Sequence, residues 1–100
     1  MRVKAIEYVD LDQFPGFIKF TIKDIHSKNW IFIEKIPVVS SENISDRLQC
    51  PFEMDVSHKI ISNYINKIDN REVCKISFLY DIHSIDGEQV FEVYKEQINF

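Results

Sequence analysis

VSHKIISNYIN, residues 56–66, decides between two architectures. Ile60, Ile61, Tyr64, Ile65 and, just beyond, Ile68 fall at the spacing of one helix face. Val56, His58, Ile60, Ser62 and Tyr64 alternate as residues of a strand do. Composition separates the two readings. Ile, Val and Tyr are abundant in the stretch, whereas Ala, Leu and Glu are absent. The stretch is read as a strand, and the alternative is an α+β fold with a helix at 57–68.

The flanking sequence supports the strand reading. In FIKFTIKD (17–24), Ile18, Phe20 and Ile22 lie on one face and Lys19, Thr21 and Lys23 on the other. That is the period of a half-buried strand. WIFIEKI follows after the short polar turn DIHSKN and stops at Pro37, which has no N–H to give a ladder. Residues 2–9 alternate more loosely, with Val3, Ala5 and Val9 on one side and Ile6 and Tyr8 on the other. REVCKISFLY places Cys74, Ile76, Phe78 and Tyr80 on one face, and EQVFEVY supplies a last strand. Turns fall at Pro15-Gly16, at KIDN and at DIHSIDG, where Gly87 is free to take a positive φ. SSENISDRLQCPFEMD (40–55) shows no sustained period and is read as one long loop. The expected fold is all-β, an antiparallel barrel or sandwich of about six strands forming a single domain over residues 1–100.

Composition bounds the function. The chain has 45% apolar residues and eight Phe, enough for a packed core. Its net charge of −4 argues against nucleic acid, whose binders carry a basic stripe. No apolar run is long enough to span a membrane, and residues 1–10 lack the apolar stretch of a secretion signal. Cys50 and Cys74 make no zinc spacing. These features together suggest a cytoplasmic protein with no cofactor and no metal.

DIHS occurs at 24–27 and again at 81–84. Four Asp and His side chains in two copies invite a metal reading, but zinc sites need ligands converging from rigid elements. Asp and Ser also favour turns because their oxygens bond nearby main-chain N–H groups, and both copies end a strand. The repeat is read as two turns. No nucleophile is paired with an evident base, so no enzyme is expected. Trp30, Phe32 and Phe17 lack the basic groove of a stacking platform and are read first as core. The carboxylates Glu42, Asp46, Glu53 and Asp55, with Arg47, are the candidate partner contacts, and Trp30 is a candidate anchor.

PGFIKFTIKDIHSKNWIFIEKIPVV (15–39), KIDNREVCKIS (67–77) and DIHSIDGEQVFEV (81–93) together resemble a family of small, mostly uncharacterised bacterial proteins. The family pattern runs Gly-aromatic-Val, then Asp, then aromatic-x-acidic-Lys-x-Pro-Val-Val. It is carried here by Gly16, Phe17, Ile18, Ile22, Asp24, Phe32, Glu34, Lys35, Pro37, Val38 and Val39. This chain departs at three places: Lys28 or Asn29 in the first turn, Asn70 where the family carries Gly, and His83 where it carries Glu. The resemblance implies an all-β fold and no reaction. Some such proteins resemble immunity proteins, so it also implies a protein that neutralises a cognate, basic toxin domain by occluding its active site. The alternative is a small-molecule or regulatory binding module.

Overall fold

The computed structural model describes residues 1–9, 16–35 and 51–98. Seven strands run β1 (Arg2–Val9), β2 (Phe17–Lys23), β3 (Asn29–Lys35), β4 (Phe52–Asp55), β5 (His58–Asn66), β6 (Arg71–Phe78) and β7 (Val90–Tyr94). A 3-10 turn at Lys95–Gln97 follows. They build a four-stranded sheet ordered β3-β2-β1-β4 and a three-stranded sheet ordered β5-β6-β7. Every pairing is antiparallel. The fold is all-β, and no helix among the described residues is long and apolar enough to cross a membrane.

β2 has the period its sequence predicts. Ile18, Phe20 and Ile22 are buried, and they meet Phe32 of β3 and Ala5 of β1 on the inner face. From the second sheet, Cys74, Ile76 and Phe78 of β6 and Phe91 and Val93 of β7 join the same core. Four Phe rings close the gap between the sheets. Phe20 stacks on Phe32 at 4.7 Å, and Phe78 and Phe91 meet Phe32 edge-on at 5.4 and 5.3 Å.

Three details differ from the sequence reading, each for a local reason. A bulge between Ala5 and Glu7 shifts β1 by one residue, so Tyr8 packs against the core side with Val3 and Ala5. The far end of the supposed loop 40–55 is a strand: Phe52–Asp55 pairs with β1 and buries Met54 between exposed Glu53 and Asp55. Four residues are too few for a period of two to stand out in a sequence. Tyr80 leaves the inner face, because β6 ends at Phe78 and both Tyr80 and Asp81 turn to positive φ.

β5 is extended throughout and pairs with β6 from His58↔Phe78 to Asn66↔Arg71, which excludes the helix at 57–68. The irregularity lies between Ile60 and Ser62. Before it, His58 and Ile60 share the face of Phe78 and Ile76; after it, Ser62 and Tyr64 share the opposite face with Lys75 and Val73. The extra residue, Ile61, produces the adjacent apolar pairs that mimic a helical spacing. The β5–β6 turn closes on its own side chains. Asn66 Oδ1 accepts the Ile68 N–H at 3.1 Å, and Asn70 takes φ +57°, the left-handed conformation that Asn tolerates in place of Gly.

Candidate functional site

The two DIHS turns are built differently. Asp24 Oδ1 accepts the N–H groups of His26 at 2.8 Å and Lys28 at 3.0 Å, while Oδ2 accepts the indole N–H of Trp30 at 2.9 Å. In the second copy, His83 Nδ1 lies 3.1 Å from the Asp81 carbonyl oxygen, and buried Ser84 accepts the Glu88 N–H through its hydroxyl. Each turn also crosses to the other sheet. The Ile25 N–H donates to the Glu92 carbonyl of β7 and the Ile85 N–H to the Ile31 carbonyl of β3. The repeated letters thus serve as two clasps between sheets. No cluster of three or more metal-ligating side chains occurs among the described residues.

Glu53 and Asp55 are exposed on β4, at one edge of the four-stranded sheet. Asp55 lies 3.9 Å from the Arg2 guanidinium. Glu53 faces Lys4 across the ladder and borders an open groove of about 580 Å³ on the outer face, which Thr21, Asn29 and Ile31 also line. Trp30 sits on β3, at the opposite edge of that sheet, paired with inward-facing Ile22. Its half-buried indole packs on Phe91 at 5.3 Å and lies under the Lys28 ammonium at 3.9 Å. Trp30 and the β4 carboxylates therefore do not share a patch. Glu42, Asp46 and Arg47 lie outside the described residues, as does Cys50.

Cys74 is buried in the core, and burial pushes its thiol up, away from the reactive thiolate. His58 Nδ1 lies 3.1 Å from the Met1 main-chain nitrogen, and burial holds the ring below its usual pKa.

Two surface features escaped the sequence reading. One is β5 itself, where Ile60, Ile61 and Ile65 stand exposed. The other is a phenol–carboxylate lattice on the outer face of the three-stranded sheet. Tyr64 donates to Glu92 at 2.5 Å, and Tyr94 donates to Asp69 at 2.6 Å. Arg71 lies over the Tyr94 ring at 3.5 Å and pairs with Glu96. These contacts join β5 to β7 across β6, so they needed the strand order and not only the strands. The hydrogen bond to Glu92 holds the Tyr64 phenol neutral and pushes its pKa from 10.0 up to about 12. Stability from this bond is complete below pH 10.0 and is lost as pH rises toward about 12. In a phenolate absorbance titration, Tyr64→Phe is expected to remove the last-titrating step, and Glu92→Gln to move it back toward 10.0. An unchanged final step in both variants would break the assignment.

No protein family, curated protein or solved structure matches this chain.

Proposed function

We propose that this chain is a non-enzymatic immunity protein that neutralises a basic bacterial toxin domain by covering its active site. The observation that carries the reading is the β4 edge. There Glu53 and Asp55 point to solvent while Met54 anchors the strand in the core, on a chain of net charge −4. Carboxylates fixed on a paired strand present their charge without the ordering cost of a mobile loop, and opposite charge on a partner accelerates encounter. The resemblance to small immunity-like proteins gives the partner class. Glu42, Asp46 and Arg47, in the segment leading to β4, extend the same contact set, and the setting is the cytoplasm.

The test is co-purification with the toxin domain encoded beside the gene, followed by stopped-flow association. Glu53→Lys together with Asp55→Lys is expected to slow association about tenfold at low salt and to flatten its salt dependence. No complex with that domain, or an on-rate indifferent to both substitutions, would remove the reading. The second reading, a small-molecule or regulatory module, is favoured by the 580 Å³ groove on the outer face, a volume within the usual range of ligand sites. A thermal shift with a metabolite panel that Lys4→Ala abolishes would select it.

A further inference from the structure

We infer that the open edge of β5 takes up an extended, acidic segment of a partner protein as an added strand. Among the described residues, β5 pairs with β6 alone, so one side of a nine-residue strand keeps its ladder groups unpaired. Proteins ordinarily blunt such an edge by shortening it, covering it, or setting a bulge or lysines on it; β5 carries the bulge and Lys59 but keeps its full length. Here it is long and apolar: Ile60 is 48% exposed, Ile61 48% and Ile65 51%. The register on either side of the bulge puts Ile60 and Ile65 on one face and Tyr64, whose hydroxyl is held by Glu92, on the other. An added strand would take main-chain hydrogen bonds from this edge and set alternate side chains beside Ile60 and Ile65.

Charge selects the occupant. Residues 56–68 contain no Asp or Glu, although the whole chain is acidic. Lys59 and Lys67 stand near the two ends of β5, roughly 25 Å apart at the rise of an extended chain. Both are exposed, and neither ammonium makes an ion pair among the described residues. The flanking carboxylates have other partners: Asp55 lies by Arg2, and Asp69 accepts the Tyr94 hydroxyl and the Arg71 N–H. A second copy of this chain fits poorly. Antiparallel pairing of two β5 edges sets the Lys59 end of one beside the Lys67 end of the other, with no carboxylate between them. A strand of alternating apolar residues with a carboxylate at each end satisfies both the ladder and the ammonium groups. This edge belongs to the sheet opposite β4 and prefers the opposite charge, so it is independent of the immunity reading.

The probe is a labelled nine-residue peptide of alternating Val and Thr ended by Glu, matched to the length of β5. Two controls accompany it: the same peptide ended by Lys, and one N-methylated along a single edge. Anisotropy is expected to show the Glu-ended peptide binding about tenfold more tightly than the Lys-ended one at low salt. Lys59→Glu together with Lys67→Glu, at two exposed side chains outside the core, is expected to reverse that preference. N-methylation is expected to abolish binding, and the Glu-ended peptide to slow amide exchange along β5. Equal affinity for both peptides, indifference to N-methylation, or no binding at all would overturn the inference. So would a dimer in sedimentation whose β5 amides are protected without peptide, because the occupant would then be a second copy.

Discussion

Phe32→Ala is expected to lower the free energy of unfolding by about 3–5 kcal/mol, the loss that follows from deleting a large ring at the junction of two sheets. Phe32 is fully buried on β3 and contacts rings from both sheets. It stacks on Phe20 from its own sheet at 4.7 Å with planes 2° apart. From the other sheet, Phe78 presents its edge at 89° and Phe91 at 66°. Removing the ring deletes its transfer free energy and leaves a cavity that neither sheet can close without breaking its own ladder. Small domains hold only about 5–15 kcal/mol in total, so the loss is a large share of it. Urea unfolding followed by circular dichroism is expected to show a midpoint lowered by more than about 1 M. Phe52→Ala, at the rim against Tyr8, is expected to cost less, because Phe52 is only partly buried. A Phe32→Ala loss below about 1 kcal/mol would mean that the sheets do not share one core.

The strands of this protein were legible wherever a single face is buried over enough residues. β2 reads directly, because Ile18, Phe20 and Ile22 alternate without interruption. The positive φ at Gly87 and at Asn70 also follows from residue type, since Gly has no Cβ to clash and Asn tolerates a left-handed turn. β1 and β5 were blurred by their bulges, which invert the faces partway along and turn an alternating pattern into an ambiguous one. Ile82 and Ser84 illustrate a different limit. Their segment reads as a polar turn, yet both are buried, because the turn folds back until the Ile85 N–H reaches the Ile31 carbonyl. That contact spans the two sheets and has no local signature. The site shows the same division. The exposure of Glu53 and Asp55 was legible from charge alone, but their place on a strand and the tie of Trp30 to Asp24 and Phe91 were not. The acid-free run at 56–68 was visible in the sequence. Its meaning depended on knowing that β5 lies at an edge.

Asp24→Ala is expected to cost about 2 kcal/mol and to loosen the turn between β2 and β3. One carboxylate there organises three donors: the main-chain N–H groups of His26 and Lys28 and the indole N–H of Trp30. Ser27 is held at φ +62° in the same turn, a conformation that persists only while its surroundings impose it. The turn also carries the Ile25 N–H to the Glu92 carbonyl, so loosening it weakens one tie between β7 and the β2–β3 hairpin. Burial alone would raise the Asp24 pKa. The hydrogen bonds from Trp30, Lys28 and His26 outweigh that and hold it below 3.8. A carboxylate with a depressed folded pKa stabilises above its unfolded value and loses that contribution as pH falls through the folded one. The stability gap between wild type and Asp24→Ala is therefore expected to be full above pH 3.8 and to shrink below it. Trp30 is the sole tryptophan, so its fluorescence reports this turn without interference. Asp81→Asn is the matched control. Asp81 also sits at positive φ, +56°, but there the main-chain carbonyl oxygen, not the carboxylate, makes the contact, and it lies against the His83 ring rather than a main-chain N–H. Asn tolerates that φ, so the change is expected to stay within about 0.5 kcal/mol. Equal losses from the two substitutions would mean that the copies of DIHS act alike, and that the three bonds to Asp24 do not set its turn apart.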